Sequence, residues 1–427
     1  MLRRRRIIAV ALSVLTVLLV LTYMEVSGGN EPSTLKISLR NPLNMLNSGI
    51  VYGKYNLNYE PWLRAEVNES ALHVIVMAQF RTGSTITGEM FNQNPTMFYL
   101  FEPLRVPKCV EKFALMDDNE ATNGELLGRI NRCQFSPKAA ACIANFRLGV
   151  MKSQNVGRIC ERITGMNYAS CPTATPELFR NDCLKYRGRM AMKIIRGNLN
   201  DIEQVIKRTK LNIKVIHLVR DPRGTANSRR VYLMSIDERK SVLNATTAET
   251  PSFRSGNGAN GTLRMRSLRK VGLFDPPVTP DRATIDDMCR RMRNNVGIAA
   301  KRPPWLHGRY KLVRYEDFSV DPIGTTRKIY DFLGETVPSA VIRYLEQNTQ
   351  DTVKSDQQMF NTHKNSTATS TKWRQFFSYA EARQVQNICG DVMRTLGYKL
   401  IRHHADLQDS SFRVTGPLRL GSDIAIV

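Results

Sequence analysis

The sequence predicts an α/β body with a central, mostly parallel sheet flanked by helices, standing behind one N-terminal transmembrane helix. Three observations predict it. Short apolar, β-branched runs alternate with helical segments, the pattern of strands buried on both faces. Polar, glycine-containing loops follow two of those runs, where open α/β sheets place their ligands. Four arginines, Arg3 to Arg6, precede an uncharged apolar stretch over residues 7–24. With 427 residues, 42% hydrophobic and 23% charged, the chain can bury a sizeable core, which excludes wholesale disorder.

The elements follow in chain order. At ~1.5 Å per residue the apolar stretch spans about 27 Å, enough for a thin bilayer. The arginines before it stay cytosolic, so the rest of the chain is sent into the lumen. Val26-Ser27-Gly28 also permits a cleaved signal peptide, but the run is longer than the usual core of one, which favours an uncleaved anchor. The chain therefore divides into a cytosolic tail (1–6), an anchor (7–24), a lumenal stem (25–70), a folded body (71–400) and a C-terminal tail (401–427). In the body, residues 72–78 (LHVIVMA) read as a buried strand, followed by a glycine turn and a helix over 86–92. Residues 191–195 and 211–219 read as further strands, with a helix over 202–210 between them. A strand over 310–315 precedes a helix over 325–333. Ser378 and Glu381 form a capping-box pattern for a last helix, closed near Gly397. The aperiodic, basic stretch 237–279 reads as a long exposed excursion.

Four sequons agree with a lumenal body: Asn68, Asn244, Asn260 and Asn365 each begin N-x-[ST] without proline. The eight cysteines contain no C-x-x-C pair, and six fall between Cys109 and Cys183. They predict a disulfide-braced subregion, with buried free thiols as the alternative and the pairing left open. The net charge is +24, and 28 basic against 11 acidic residues lie between Arg180 and Arg309. Such an excess suits an anionic partner. In a lumenal protein nucleic acid is excluded, which leaves anionic glycans and sugar or nucleotide donors.

Two loops carry the chemistry. Gln79-Phe80-Arg81-Thr82-Gly83-Ser84-Thr85 lies between a strand and a helix, where backbone N–H groups and the helix dipole favour phosphate or sulfate. Gly83 allows close approach, Ser84 and Thr85 offer hydroxyls, and Arg81 a permanent charge. No Walker A pattern is present, which disfavours an ordinary P-loop kinase. Arg220-Asp221-Pro222-Arg223-Gly224-Thr225-Ala226-Asn227-Ser228 also follows a strand, so Arg220 and Ser228 are placed to meet a second anionic group. Two such strand ends imply a ligand with two separated anions.

These residues resemble a known family. Arg81 to Thr85 is similar to the 5′-phosphosulfate loop of Golgi carbohydrate sulfotransferases, and Arg220 to Ser228 to their 3′-phosphate motif. Phe98-Tyr99-Leu100-Phe101-Glu102-Pro103-Leu104, Arg302-Pro303-Pro304-Trp305-Leu306, Leu312-Val313-Arg314-Tyr315-Glu316-Asp317 and Trp373-Arg374 resemble further blocks of the galactose/N-acetylgalactosamine/N-acetylglucosamine 6-O-sulfotransferase branch. Thr82 and Thr85 stand where that branch often has serine. The resemblance implies a P-loop-like sulfotransferase fold and the donor 3′-phosphoadenosine 5′-phosphosulfate (PAPS), with no metal. It also implies a glycan or proteoglycan acceptor of keratan or chondroitin type and a single-pass place in the Golgi membrane. Homo-oligomerisation is left open.

Arg81 is then expected to stabilise the leaving phosphate, and Glu102, in the matching Glu-Pro-Leu block, to act as general base. The alternative for Glu102 is a structural ion pair. His73 and His217, inside strands, are expected to pack or hydrogen-bond. The Arg290-Arg291-x-Arg293 cluster either holds glycan sulfates or forms a solvated helix face. A membrane-anchored glycosaminoglycan-binding protein without catalysis is the rival class.

Overall fold

Strand β1 (Leu72–Ala78) is the middle of the sheet and shows why the strands were legible. Leu72, Val74, Val76 and Ala78 join one apolar cluster, whereas Ile75 and Met77 join the other. Successive side chains leave a strand on opposite faces, so a strand covered on both sides reads as one apolar run. Here the computed structural model describes residues 67–105, 122–165, 171, 173–248, 281–349 and 366–426, without the side chains of 236–248 and 366–368.

Five strands, β1, β2 (Phe98–Phe101), β3 (Met190–Ile194), β4 (Asn212–Val219) and β5 (Tyr310–Arg314), form one sheet in the order β2-β3-β1-β4-β5. Every pairing is parallel, with Val76 opposite Lys193 on one side and Ile216 on the other. All C-terminal strand ends therefore share one edge. The chain leaves β1 towards β2 and β3, then returns to β4 on the other side of β1. That reversal opens a crevice between the ends of β1 and β4.

Helix Ser84–Asn92 and the helices from Tyr315 to Thr349 cover one face of the sheet. Helices between Asn123 and Arg208, with Arg282–Ala300 and Tyr379–Thr395, cover the other. The predicted capping box is present: Ser378 Oγ accepts from the Glu381 N–H, and the Glu381 carboxylate accepts from the Ser378 N–H. Gly397, at φ +73°, follows that helix as expected.

Three readings change. The helix after β4 runs Pro222–Ala248, so residues 237–248, read as part of an aperiodic excursion, are helical. Pro222 starts this helix, and no further proline occurs before Pro251, so nothing in the backbone breaks it. Its distal half lacks apolar periodicity, which is why the pattern missed it. Tyr315, read as the end of β5, begins helix Tyr315–Val320. Residues 401–426 are not a loose appendage. The Leu312 N–H donates to Ile424 O at 2.8 Å and the Ile426 N–H to Leu312 O at 2.9 Å, which closes the outer edge of β5.

Disulfides join Cys133–Cys183, Cys160–Cys171 and Cys289–Cys389, and Cys142 is bonded as well, so among the described residues no thiol is free. Two of these bridges fall within the subregion predicted to be braced. Asn68 is exposed and Asn244 sits in the long helix, whereas Asn260, Asn365, Cys109 and the predicted anchor at 7–24 lie outside the described residues. Among those described, no helix is long and apolar enough to cross a membrane.

Candidate active site

The crevice between β1 and β4 brings the two predicted loops into direct contact. Arg220 Nη1 donates to the carbonyl of Arg81 at 3.1 Å, and Arg81 Nε donates to Ser228 Oγ at 3.0 Å. Arg220 is 6% exposed, lies 4.7 Å over the Tyr315 ring and donates through Nη2 to Thr369 O. Its Nε is buried without a partner. Arg81 lies 5.8 Å from the rings of both Phe80 and Tyr232. Burial, then the charge of Arg220, lowers the affinity of Arg81 for its proton. A buried guanidinium and a half-buried one held this close repel each other, and an anion between them would relieve that cost.

The first loop is shaped by its backbone. Arg81 at φ +72° and Gly83 at φ +89° both adopt left-handed conformations, and a Cβ on Gly83 would fall 2.3 Å from the Tyr315 ring. Gly83 caps helix Ser84–Asn92 without any side-chain hydrogen bond. The first-turn N–H groups therefore have no side-chain cap, a helix start of the kind that can receive an anion, close to Arg81 and Arg220. Ser84 is buried at that start and Thr85 half-buried beside it. The Thr82 hydroxyl donates to Gln79 O at 2.8 Å and closes the turn. Gln79 is anchored by Nε2 to Met288 O at 3.0 Å, while its Oε1 is buried without a partner.

From the second loop, Arg220 bonds the Arg81 carbonyl and Ser228 accepts from the Arg81 guanidinium. Asp221 and Arg223 pair with each other at 2.7 Å, both fully buried. Arg223 also donates to Gln386 Oε1 and stacks 4.5 Å from the Trp373 ring. The polar side-chain groups of Asp221 and Arg223 are thus engaged in supporting the loop. Pro222 starts the helix, and Gly224 leaves room for Trp373 and Arg220, which a Cβ would approach to 3.1 and 3.2 Å. Thr225 and Ala226 are buried, and Asn227 Oδ1 accepts from Arg230 at 3.0 Å.

Glu102 follows β2 on the same edge, at φ +53° and 8% exposed. Lys193 Nζ donates to one carboxylate oxygen at 2.5 Å and Arg196 Nη1 to the other at 2.8 Å. Lys193 is 2% exposed and lies 4.1 Å from the Phe101 ring. Burial lowers its proton affinity, Glu102 raises it, and Arg196 and Arg81 lower it again. The carboxylate is thus ion-paired and also within the field of the Arg81 cluster. His73 and His217 meet Asn131 at 3.1 Å and Tyr310 at 2.7 Å, as in-strand histidines were expected to do. Among the described residues no cluster of His, Cys, Asp or Glu is suited to a metal.

Residues 71–397 match the sulfotransferase domain family. The chain belongs to the sulfotransferase family. It is 29% identical over 369 residues to human carbohydrate sulfotransferase 1, covering 79% of this chain and 82% of that one. It is 27% identical to mouse carbohydrate sulfotransferase 2 (79% and 67% covered) and 28% identical to human carbohydrate sulfotransferase 3 (79% and 70%). Among solved structures, the sulfotransferase domain of the Synechococcus PCC 7002 olefin synthase aligns with a TM-score of 0.41 and 16% identity, over 78% and 96% of the two chains. The relationship to carbohydrate sulfotransferases, first seen in separate motifs, thus extends over the whole body of the chain.

Within this sulfotransferase, sequence reasoning missed Lys193, Arg196 and Arg229 as residues at the strand ends, whereas Tyr315 lay in a family-like block and Arg291 in the basic cluster weighed as a holder of glycan sulfates. Lys193 carried a signal, being a lone cation inside the apolar run of β3. Arg196 and Arg229 gave none, because their approach to the loops depends on how helices and strand ends pack.

Proposed function

We propose that this protein transfers a sulfuryl group from PAPS to the 6-hydroxyl of galactose or an N-acetylhexosamine in a keratan- or chondroitin-type chain. It would do so in the Golgi lumen, held by the anchor at residues 7–24. The observation that supports this best is the contact of Arg81 with Arg220 and Ser228 across the β1–β4 crevice. A ligand with two anionic groups fits it: Arg220 Nε is buried and unpartnered, and the neighbouring helix start carries no side-chain cap.

PAPS, when bound, supplies a sulfuryl group attached to a phosphate that leaves with negative charge. Arg81, Ser84, Thr85 and the first-turn N–H groups hold that phosphate and stabilise its charge. Arg220 and Ser228 hold the 3′-phosphate and so fix the direction of transfer. Glu102 accepts the acceptor hydroxyl's proton on a carboxylate oxygen. Each of its oxygens has two lone-pair sites, and Lys193 and Arg196 occupy one on each, so a site remains for the proton.

The deciding assay incubates the lumenal body with sulfur-labelled donor and a panel of keratan, chondroitin and N-acetyllactosamine acceptors, then maps the labelled carbon. Label at C6 of a hexose supports the reading, and no transfer to any acceptor rejects it. Arg220→Ala should weaken 3′,5′-bisphosphoadenosine binding by roughly 10- to 150-fold, the loss of one charge-assisted contact. Adenosine 5′-phosphosulfate, which lacks the 3′-phosphate, should be nearly indifferent in the same calorimetry. Equal losses for both ligands would show that the loop itself had collapsed.

A further inference from the structure

Two more arginines stand at the strand ends, over β1 and β3 and so across β1 from Arg220. Arg229, from helix Pro222–Ala248, donates through Nε to Phe80 O at 3.2 Å. Arg291, from helix Arg282–Ala300, donates through Nη2 to Ile195 O at 3.2 Å and Gly197 O at 3.4 Å. Both thus bind backbone carbonyls, which leave their charges unneutralised. The carboxylate that acts on Arg229 is Asp287, and Arg290 already engages it at 2.5 Å. Burial, then the charge of Arg291, lowers Arg229 to about 10, so the two guanidiniums oppose one another. Gln79 ties this place together: its Nε2 holds Met288 O, three residues before Arg291 on one helix face, and its Oε1 is a buried acceptor without a donor.

The PAPS-binding reading uses Arg81, Arg220 and Ser228 on the β1–β4 side and leaves this second pair unneutralised. We propose that Arg229 and Arg291, with Gln79 Oε1 beside them, form a subsite for an anionic substituent, sulfate or carboxylate, on the acceptor glycan. The arginines bind the anion, and Gln79 accepts from a hydroxyl of the sugar that carries it. The enzyme then selects acceptor chains that are already charged near the reacting sugar. This rests on the sulfuryl-transfer reading, so its test must fail separately from that one.

One oligosaccharide backbone is prepared in neutral, sulfated and uronate-bearing forms, and kcat/KM is measured for the parent, Arg229→Gln, Arg291→Gln and Arg291→Lys. The parent should prefer a charged form at least tenfold, and whichever of the two charged forms is preferred identifies the substituent. Each Gln variant should lose that preference, a change on the order of 10- to 100-fold. Arg291→Lys should keep part of it, since a point charge replaces the guanidinium fork. A parent indifferent to acceptor charge overturns the inference while leaving sulfuryl transfer intact. So does a Gln variant that keeps the preference but loses bisphosphoadenosine affinity, because the pair would then belong to the donor. If the parent transfers to nothing, the sulfuryl reading fails, and calorimetry of the same charged and neutral oligosaccharides decides the subsite alone. Should a Gln variant not fold, the Lys variants at both positions carry the comparison.

Discussion

At the scale of single residues, Arg81 and Glu102 are the two side chains proposed for the chemistry, and both have left-handed backbones outside glycine. Such conformations cost on the order of 1–3 kcal/mol each and persist only where the surroundings enforce them. For Glu102 the surroundings are Lys193 and Arg196, which makes an ion pair and a general base compatible in one carboxylate. The two roles can be separated. Glu102→Gln should lower turnover by roughly 10²–10⁴-fold through loss of the base. It should also lower the melting temperature, because Lys193 is left buried without its counter-charge. Adding Lys193→Met removes that stranded group, so the double variant should regain stability while turnover stays low. Turnover and melting temperature measured on one preparation decide it, and recovery of both together would make Glu102 purely structural. The loops were legible because a glycine, hydroxyls and an arginine sit consecutively after an apolar run. The inward turn of Thr82, Asp221 and Arg223 was not, since a side chain's direction depends on partners such as Gln386 that lie far along the chain.

At the scale of elements, legibility followed burial. Strands β1, β3, β4 and β5 were found to within a residue or two because both of their faces are covered. The far half of helix Pro222–Ala248 and the edge-closing segment at 424–426 were hidden, one by its lack of apolar periodicity and the other by its dependence on Leu312. Disulfides bind the helical layers, and their loop lengths rank them. Cys289–Cys389 joins helices Arg282–Ala300 and Tyr379–Thr395 across 100 residues, whereas Cys160–Cys171 spans 11. By loop-closure entropy the first should contribute about 4.7 kcal/mol and the second about 2.8 kcal/mol. Paired alanine replacements, compared by urea unfolding, should therefore destabilise more for Cys289 and Cys389. The helix carrying Arg291 would loosen with that bridge, so the same variant should also weaken charge preference among acceptors. A larger loss from the short bridge would mean that native packing, and not chain entropy, sets the ranking.

For the whole molecule, buried titratable groups make stability depend on pH in two opposing ways. Burial lowers His73 to about 4, against its bond to Asn131, and lowers His217 to about 3. The unfolded chain takes up these protons near pH 6.5 and the folded chain does not, so their stabilisation is complete above 6.5 and is lost as pH falls towards 4. Glu316 behaves oppositely. Burial, then the neighbouring Asp221, raises it to about 7, while the Asp221 N–H at 3.0 Å and the Tyr398 hydroxyl at 2.8 Å hold its two oxygens. The folded chain keeps that proton where the unfolded chain has released it, so stability falls as pH rises from about 4.5 to 7. Two histidines outweigh one glutamate below 6.5, and the glutamate acts alone above it. Stability should therefore climb from pH 4.5 to about 6.5 and then decline gently towards 7.5. Glu316→Gln keeps an acceptor for the Asp221 N–H and a polar partner for Tyr398 but has no charge to bury. It should abolish the decline and stabilise the protein at pH 7.5 by on the order of 3 kcal/mol, from the size of the shift. Urea unfolding midpoints across pH 5–8 test this directly. A variant whose profile parallels the parent above pH 6.5 would mean that Glu316 is already ionised in the folded state, with Arg220 and the Asp221 N–H offsetting its burial.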